Sequence, residues 1–440
     1  MKILHTIVKT GLRPVSKDRI GLRPISLLLI FLSFLGFAQA QTIELKQCLD
    51  SAVVHYPTYR QAALYDQELE LTIKTIKQQN LPQADLNGRA TWQSDVTELG
   101  IKLPGVSIPE LNHDQYKISL DVTQTIYKGG LTSKQIELEE INSQINKKQS
   151  FSELYALKQR VSALYFQLIL NQKQMELTQI LENTLNSKMK EMEAGLQNGI
   201  LLSTVTNNLK VEIAKLNQQK TELQFEKLKL LSNLKLLTGL NLTAETQFKL
   251  PENETSVTQS QSRIEMEIFD LQKKKVEEMK SLSSSKNLPM VYSFANLGYG
   301  RPGYNMLSNE FQDFQMIGVG MSWKLWNWNE YKRDRQILDL SSQSINIKKE
   351  NFEIEIQMAL DQQIAEIKKM NELINSDDEI IKLRSQIAET TNVQLLNGTA
   401  TPAQYIDELN KLNQAKLENE LHKIKLSLAQ VNYLWIMGKL

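Results

Sequence analysis

The sequence is poor in residues that build metal sites and redox centres, with one cysteine and four histidines among 440 residues. Cys48 has no partner for a disulfide within the chain, and we expect it to be a small apolar residue of a first helix. The histidines beyond residue 40 are isolated and lack the spacing of metal ligands. A phosphate loop, a nucleophile elbow and paired cysteines are also missing. We predict no metal, no cofactor and no enzymatic activity.

Long apolar runs are missing too, except near the start of the chain. After residue 40, no apolar stretch reaches the roughly 18 residues that a membrane-spanning helix needs. Insertion into a membrane would therefore have to use strands. In residues 1–40, six basic side chains precede an apolar run over 25–37 and the cleavage pattern Ala38-Gln39-Ala40. We predict a cleaved signal peptide at 1–40, with a retained membrane anchor as the alternative.

The charge balance argues against one class of partner. Without residues 1–40, which contain six basic and one acidic side chains, 45 basic and 49 acidic side chains remain, a formal net charge of −4. Nucleic-acid-binding domains are usually basic, with lysine and arginine clustered on one face. We therefore predict an exported protein that does not bind nucleic acid.

Glycine and proline are absent from three long stretches, 131–194, 200–238 and 321–397. As a helix, the first would span roughly 96 Å, far beyond the usual globular length. In the second stretch a leucine recurs every seven residues, at Leu202, Leu209, Leu216, Leu223, Leu230 and Leu237. Such spacing packs helices as a coiled coil. We predict long helical hairpins, with shorter helices extending their shorter arms.

The two halves of the chain repeat at an offset of 199 residues. Tyr127 and Trp326 each lie 72 residues before the glycine of an Asn-Gly pair, Gly199 or Gly398, and each of these lies 40 residues before another glycine. A one-residue slip would rotate the buried face of a helix by about 100°, so the constant spacing indicates two rigid copies. Each copy should contain a helix, a strand hairpin and a helical hairpin. The predicted ranges are 41–250 for the first repeat, with hairpins at about 83–127 and 131–238, and 251–440 for the second, with hairpins at about 290–326 and 329–437.

In the strand hairpins the apolar period is two, as in 84–92, 116–126 and 317–325. Strands of 10–13 residues with this alternation suit a membrane barrel. Aromatic residues near the strand ends would form an interfacial belt: Trp92, Tyr116, Tyr127, Trp323 and Trp326. Four strands cannot close a barrel, and open sheet edges are not tolerated in lipid. A membrane location therefore requires an oligomer.

This order of elements, with Thr123-Gln124-Thr125-Ile126-Tyr127-Lys128-Gly129-Gly130 and Asn397-Gly398-Thr399, resembles the TolC-like outer-membrane efflux family. The resemblance covers essentially all of 42–440. It implies a homotrimer in which twelve strands close one outer-membrane barrel and twelve helices form a periplasmic α-barrel. It also implies two partners, a periplasmic adaptor protein and an inner-membrane transporter, in a Gram-negative cell envelope.

The resemblance further implies roles for two hairpin tips. Asn198-Gly199-Ile200 and Asn397-Gly398-Thr399 would form the periplasmic entrance and the adaptor-docking surface. Family members often narrow the entrance with acidic residues just after the second tip, and Asp407 and Glu408 fall there, although Gln404 is uncharged. Three copies of Asp407 near the axis would favour cations. The alternative is an ordinary solvated acid on a helix face.

The leading hypothesis is therefore a passive exit duct of a tripartite efflux or type I secretion system, driven by a partner transporter. A periplasmic adaptor also uses a long helical hairpin, but it would show one hairpin flanked by compact β domains. An exported structural coiled coil is the third possibility. It leaves the period-two strands and the aromatic placement unexplained.

Overall fold

A computed structural model describes residues 42–97, 111–197, 203–251 and 263–440. The predicted signal peptide, 1–40, lies outside these residues. The helices are α1 (Leu45–His55), α2 (Gln61–Gln78), α3 (Leu131–Gln197), α4 (Ser203–Thr238), α5 (Ile264–Ser285), α6 (Glu330–Leu396) and α7 (Pro402–Ile436). The strands are β1 (Thr42–Ile43), β2 (Gln83–Trp92), β3 (Asp114–Tyr127), β4 (Gln247–Phe248), β5 (Met290–Arg301) and β6 (Gln312–Ser322).

Two very long helices dominate the molecule, as the stretches without glycine and proline predict. Helices α3 and α6 have 67 residues each, about 100 Å of helix. They begin 199 residues apart, at Leu131 and Glu330, and the helices that return from them also begin 199 residues apart, at Ser203 and Pro402. The fold prediction of duplicated long helical hairpins is confirmed.

Shorter helices extend the shorter arm of each hairpin toward the sheet. His55, at the end of α1, lies against Gly239, the residue that follows α4. Helix α2 then continues along α3, where Ser143 Oγ donates to the Tyr65 carbonyl at 3.4 Å. In the second half, Arg263 donates to the Trp435 carbonyl at 3.0 Å, so α5 starts where α7 ends. This confirms the predicted extension.

The largest core surrounds the junction of these helices. It includes the fully buried Cys48, the residue predicted to be a small apolar member of a first helix, and burial raises the pKa of its thiol to about 12. Tyr165 of α3 is also fully buried, and its hydroxyl lies 2.9 Å from the Ile43 carbonyl and 2.7 Å from the Lys249 carbonyl. This side chain fastens the parallel strands β1 and β4 to the long helix.

The heptad leucines form a second core nearer the hairpin tips. Leu209 and Leu216 of α4 are buried against Leu185 of α3, and Tyr405 and Ile406 of α7 complete the cluster. Helix α3 also packs directly against α7. The two hairpins therefore form one helical layer. Among the described residues, no helix combines the length and apolar character needed to cross a membrane.

Strands β2, β3, β5 and β6 form one antiparallel sheet in that order. The central pair, β3 and β5, joins the two halves of the chain, with Leu120 opposite Leu297. A register shift after Thr125 marks the end of β3 nearest the helices. Strand β6 ends at Ser322, so the aromatic residues from Trp323 onward follow the strand instead of extending it to 326.

Candidate functional site

One face of the four-stranded sheet is apolar and open to solvent in the single chain. Residues opposite each other in an antiparallel pair share a face, and the register places Leu86, Leu120 and Leu297 in one row. This apolar face also carries the exposed side chains Trp92, Tyr116, Ile118, Tyr299, Ile317, Val319 and Met321. Ile317, in the middle of β6, is 86% exposed. An apolar surface of this kind marks a contact with lipid or protein.

The opposite, polar face is organised by hydrogen bonds. Asp121 accepts from the Asn87 amide at 2.6 Å and from the Ser119 hydroxyl at 3.2 Å, and it also accepts from the Asn296 amide. The Lys117 ammonium lies 4.4 Å from the centre of the Phe314 ring. The side chains of this face are therefore held by neighbours on three different strands.

Aromatic rings on the polar face lie over glycines of the neighbouring strand. The Phe314 ring covers Gly298, where an added Cβ would fall 2.2 Å from the ring. Phe294 covers Gly318 in the same way. Glycine at these positions leaves room for the rings, so even large side chains lie flat against the sheet. This keeps the space in front of the polar face free.

The aromatic residues predicted to form a belt lie at both ends of the sheet. Trp92 and Tyr116 are at the end distant from the helices, and Trp92 stacks on His113 with ring centres 6.0 Å apart. The other three, Tyr127, Trp323 and Trp326, are at the end next to the helices. All five are exposed. The structure thus places them in two rows with the strands between.

Only the second of the predicted tips can be described. The first, Asn198-Gly199-Ile200, lies outside the described residues. In the second, Gly398 has φ of +72° and its N–H donates to the Leu395 carbonyl at 3.1 Å. Thr399 then donates to the Gln394 carbonyl at 2.9 Å. Asn397 caps the end of α6, so this Asn-Gly-Thr segment ends the long helix as left-handed glycine caps do.

The return helix starts with a complete capping box. The Gln404 N–H donates to the Thr401 hydroxyl at 3.3 Å, and the Gln404 side chain accepts from the Thr401 N–H at 2.7 Å. Pro402 occupies the first turn, where its missing N–H leaves no bond unmade. Gln404 is therefore fixed as a cap and not as part of an acidic ring.

Replacing Gly398 by alanine should loosen this tip. A side chain in the left-handed conformation costs about 1–2 kcal/mol, whereas an added Cβ would meet no atom within 4 Å, so the loss is purely conformational. We expect hydrogen exchange at the Thr399 and Ala400 amides to accelerate about 5–30-fold. Gly398→Asn, which tolerates this conformation better, should show a smaller change. Equal exchange in both variants and the parent would contradict the cap assignment.

The two predicted constriction acids are both paired. Lys411 lies 2.6 Å from the Asp407 carboxylate and 2.8 Å from that of Glu408. Hydrogen bonds to Asp407, and then to Glu408, raise the pKa of Lys411. Glu408 also contacts Arg384 of α6 at 3.3 Å and is only 19% exposed, whereas Asp407 is 62% exposed. Asp407 is thus the more accessible of the two carboxylates.

Two polar pairs near these helices were missed by sequence reasoning. Arg384 neutralises Glu408 from the other arm of the hairpin, and the His422 Nδ1 lies 2.7 Å from an Asp377 carboxylate oxygen. Both pairs join α6 to α7. Their spacing along the chain carries no periodic signal, so only the hairpin geometry reveals them. No cluster of three or more His, Cys, Asp or Glu suited to a metal occurs among the described residues.

The helical layer has an unpartnered apolar row on each lateral edge. On α6 this seam consists of exposed residues at heptad-type spacings: Ile337, Leu340, Ile347, Ile354 and Met358. The opposite edge carries a matching row at multiples of seven on each helix, Leu64 and Leu71 of α2 and Val211 and Phe225 of α4. Heptad seams pack against other helices. Because the two edges differ, the contact that they predict is head to tail.

A long helical layer that ends in an amphipathic four-stranded sheet is the architecture of an outer-membrane channel subunit. No protein-family profile matches the sequence, and no curated protein sequence matches it. Solved structures do. The CmeC outer-membrane channel of Campylobacter jejuni is 13% identical, with a TM-score of 0.66 over 90% of this chain and 85% of that one.

Two further channels give the same result. The outer-membrane protein VceC of Vibrio cholerae is 12% identical, with a TM-score of 0.64 over 90% of this chain and 96% of its own. The MtrE outer-membrane channel of Neisseria gonorrhoeae, in its open state, is 11% identical, with a TM-score of 0.63 over 90% and 88%. The chain has the fold of these channels, which confirms the fold that its resemblance to the TolC-like family predicts.

Proposed function

We propose that this protein is an outer-membrane exit duct through which a partner transporter exports its substrates. The observation that carries the proposal is the four-stranded sheet, which has an exposed apolar face, a polar face and a row of aromatic residues at each end. In a membrane barrel the apolar face contacts lipid, the aromatic rows lie at its two surfaces and the polar face lines the channel. A soluble sheet would bury its apolar face against other elements.

Closure of the barrel requires more than one chain. Strands β2 and β6 each have a single neighbour in the described part of the chain, and lipid does not tolerate such open edges. Three copies would supply twelve strands, and the seam on α6 would pack against the opposite edge of the next copy. A head-to-tail contact that closes on itself gives a ring. We therefore propose a homotrimer, in which twelve helical columns continue the channel into the periplasm.

The proposed mechanism contains no chemical step in this chain. The channel bridges the envelope passively, and the inner-membrane transporter supplies the driving force through a periplasmic adaptor. The tips, Asn397-Gly398-Thr399 and the undescribed Asn198-Gly199-Ile200, are proposed to contact that adaptor. Asp407 is the proposed constriction residue. Glu408, held between Arg384 and Lys411, contributes to the hairpin more than to the field in the pore.

The proposal is tested by the location and assembly of the full-length protein. We expect it in the outer-membrane fraction as a heat-modifiable trimer in detergent, and we expect an adaptor and a transporter to co-purify with it. Reconstituted trimers should conduct ions. A water-soluble monomer without detergent would contradict the duct and favour an exported structural coiled coil. A trimer that purifies without adaptor or transporter would contradict only the proposed partners.

A further inference from the structure

The charged residues of the four strands are not scattered over the sheet. On the polar face, the described strands carry four ionisable groups of the Asp, Glu, Lys and Arg types, namely Asp85, Asp121, Arg89 and Lys117. The other three charged residues, Asp114, Arg301 and Asp313, belong to the apolar face at its end distant from the helices. The middle of the lipid-facing surface is thus uncharged.

The four groups form two pairs of like charge. Asp85 lies directly opposite Asp121, and Arg89 lies directly opposite Lys117. Like charges in such positions destabilise a sheet, whereas exchanging the residues of one strand would have produced two salt bridges. Sheet stability therefore does not explain the arrangement. The acidic pair is nearer the helices and the basic pair nearer the loops that join the strands.

Neighbouring side chains hold both pairs in place. Asp121 is fixed by the amides of Asn87 and Asn296, and the Tyr304 hydroxyl donates to Asn296 at 2.8 Å. The Lys117 ammonium lies over Phe314 and 5.4 Å from the centre of the Tyr304 ring. Charges fixed in this way act on ions in the channel without a large cost of reorganisation.

We propose that the channel wall carries two charge layers of opposite sign, an acidic layer next to the helices and a basic layer next to the loops, which make ion flow directional. This inference rests on the proposed function, because the layers form rings only in the closed barrel. Three copies would place six carboxylates in one ring and six cationic groups in the other. The acidic ring admits cations and the basic ring admits anions.

The polarity of the effect follows from the order of the rings. When the helical side is positive, cations pass the acidic ring and anions pass the basic ring, and both accumulate between the rings. The opposite voltage empties that zone of ions, so the current falls. Four residues separate the pairs along a strand, about 13 Å, or about 10 Å along the axis of a tilted barrel. The rings are therefore distinct at low salt only, where the Debye length is longer than this separation.

The test is the current–voltage relation of the reconstituted trimer, inserted into a neutral planar bilayer from one side. At about 0.01 M salt, where the Debye length is about 30 Å, we expect a current at least about twofold larger with the helical side positive. At about 1 M salt, where it is about 3 Å, the ratio should fall to about one. The fourfold exchange Asp85→Lys, Asp121→Lys, Arg89→Asp and Lys117→Asp should reverse the preferred direction.

Partial variants identify each layer separately. Asp85→Asn with Asp121→Asn should abolish the asymmetry and favour anions, whereas Arg89→Gln with Lys117→Gln should abolish it and favour cations. Asp313→Asn on the apolar face and Asp407→Asn near the tip are controls that should keep the asymmetry. A conducting trimer with a linear relation at low salt, or one whose asymmetry depends on Asp407, would overturn the inference but not the duct. A trimer without any current would overturn both.

Discussion

Replacing Ile317 by lysine is expected to remove the protein from the outer membrane, whereas the same change at the adjacent Met316 is expected to leave it there. Ile317 lies on the apolar face in the middle of β6, and Met316 lies opposite Asn296 on the polar face. A lysine at the midplane on the lipid face of a barrel costs about 2–4 kcal/mol. Three copies would cost roughly 6–12 kcal/mol, comparable with the whole stability of a typical protein.

This comparison is read from the yield of heat-modifiable trimer in the outer-membrane fraction. The two variants have the same charge, size and strand, so a general effect on synthesis or export would lower both equally. If Ile317→Lys assembled as well as Met316→Lys, the apolar face would not contact lipid and the barrel would be wrong. Loss of Met316→Lys alone would mean that the two faces are assigned the wrong way round.

The second large effect is expected at the lateral seam of α6. The double variant Ile347→Asp and Ile354→Asp should prevent trimer formation, because it would bury six unpaired carboxylates where α6 meets the next copy. Removing a charge from water without a partner costs several kcal/mol per group. Both isoleucines are exposed in the single chain, so the fold of each chain should survive. Light scattering of the purified protein in detergent would report monomers in place of trimers.

Gln343→Asp provides the matched control for that experiment. Gln343 is an exposed polar residue of the same helix, four residues before Ile347 and outside the seam. An added carboxylate there remains hydrated, so the trimer should persist. Trimers in both variants would show that copies meet through another surface, and loss of helical signal in the double variant would show that the seam is needed within the chain.

The helices and the strand positions could be predicted from the sequence because their signals are local and periodic. The stretch without breakers after Leu131 sets the long helix, and the heptad leucines, such as Leu209 and Leu216, mark the side that is buried. The alternation at 84–92 predicts both the strand and the identity of its apolar face. The chain end of β6 was less predictable, because the alternation continues past Ser322 as far as Leu325.

The candidate site was predictable only in part, because contacts between distant segments leave no local signal. The Asn397-Gly398 cap is visible in the sequence since its conformation depends on glycine itself. The pairing of Glu408 with Arg384 is not, because it depends on how the two arms of the hairpin meet. The like-charged pairs on the polar face also required the register of β2 against β3, which hydrophobic alternation alone does not fix.

The pairing of β3 with β5 has a consequence for how the protein is made. Asp121 and Asn296, which bond across this pair, are 175 residues apart, whereas α3 and α4 follow each other directly. Local contacts form faster than distant ones because less chain entropy is lost in closing the loop. During export the first helical hairpin can therefore fold before β5 has emerged. We expect the helices to form first, in water, and the strands to assemble last, so that the part facing lipid appears only when the membrane is there to receive it.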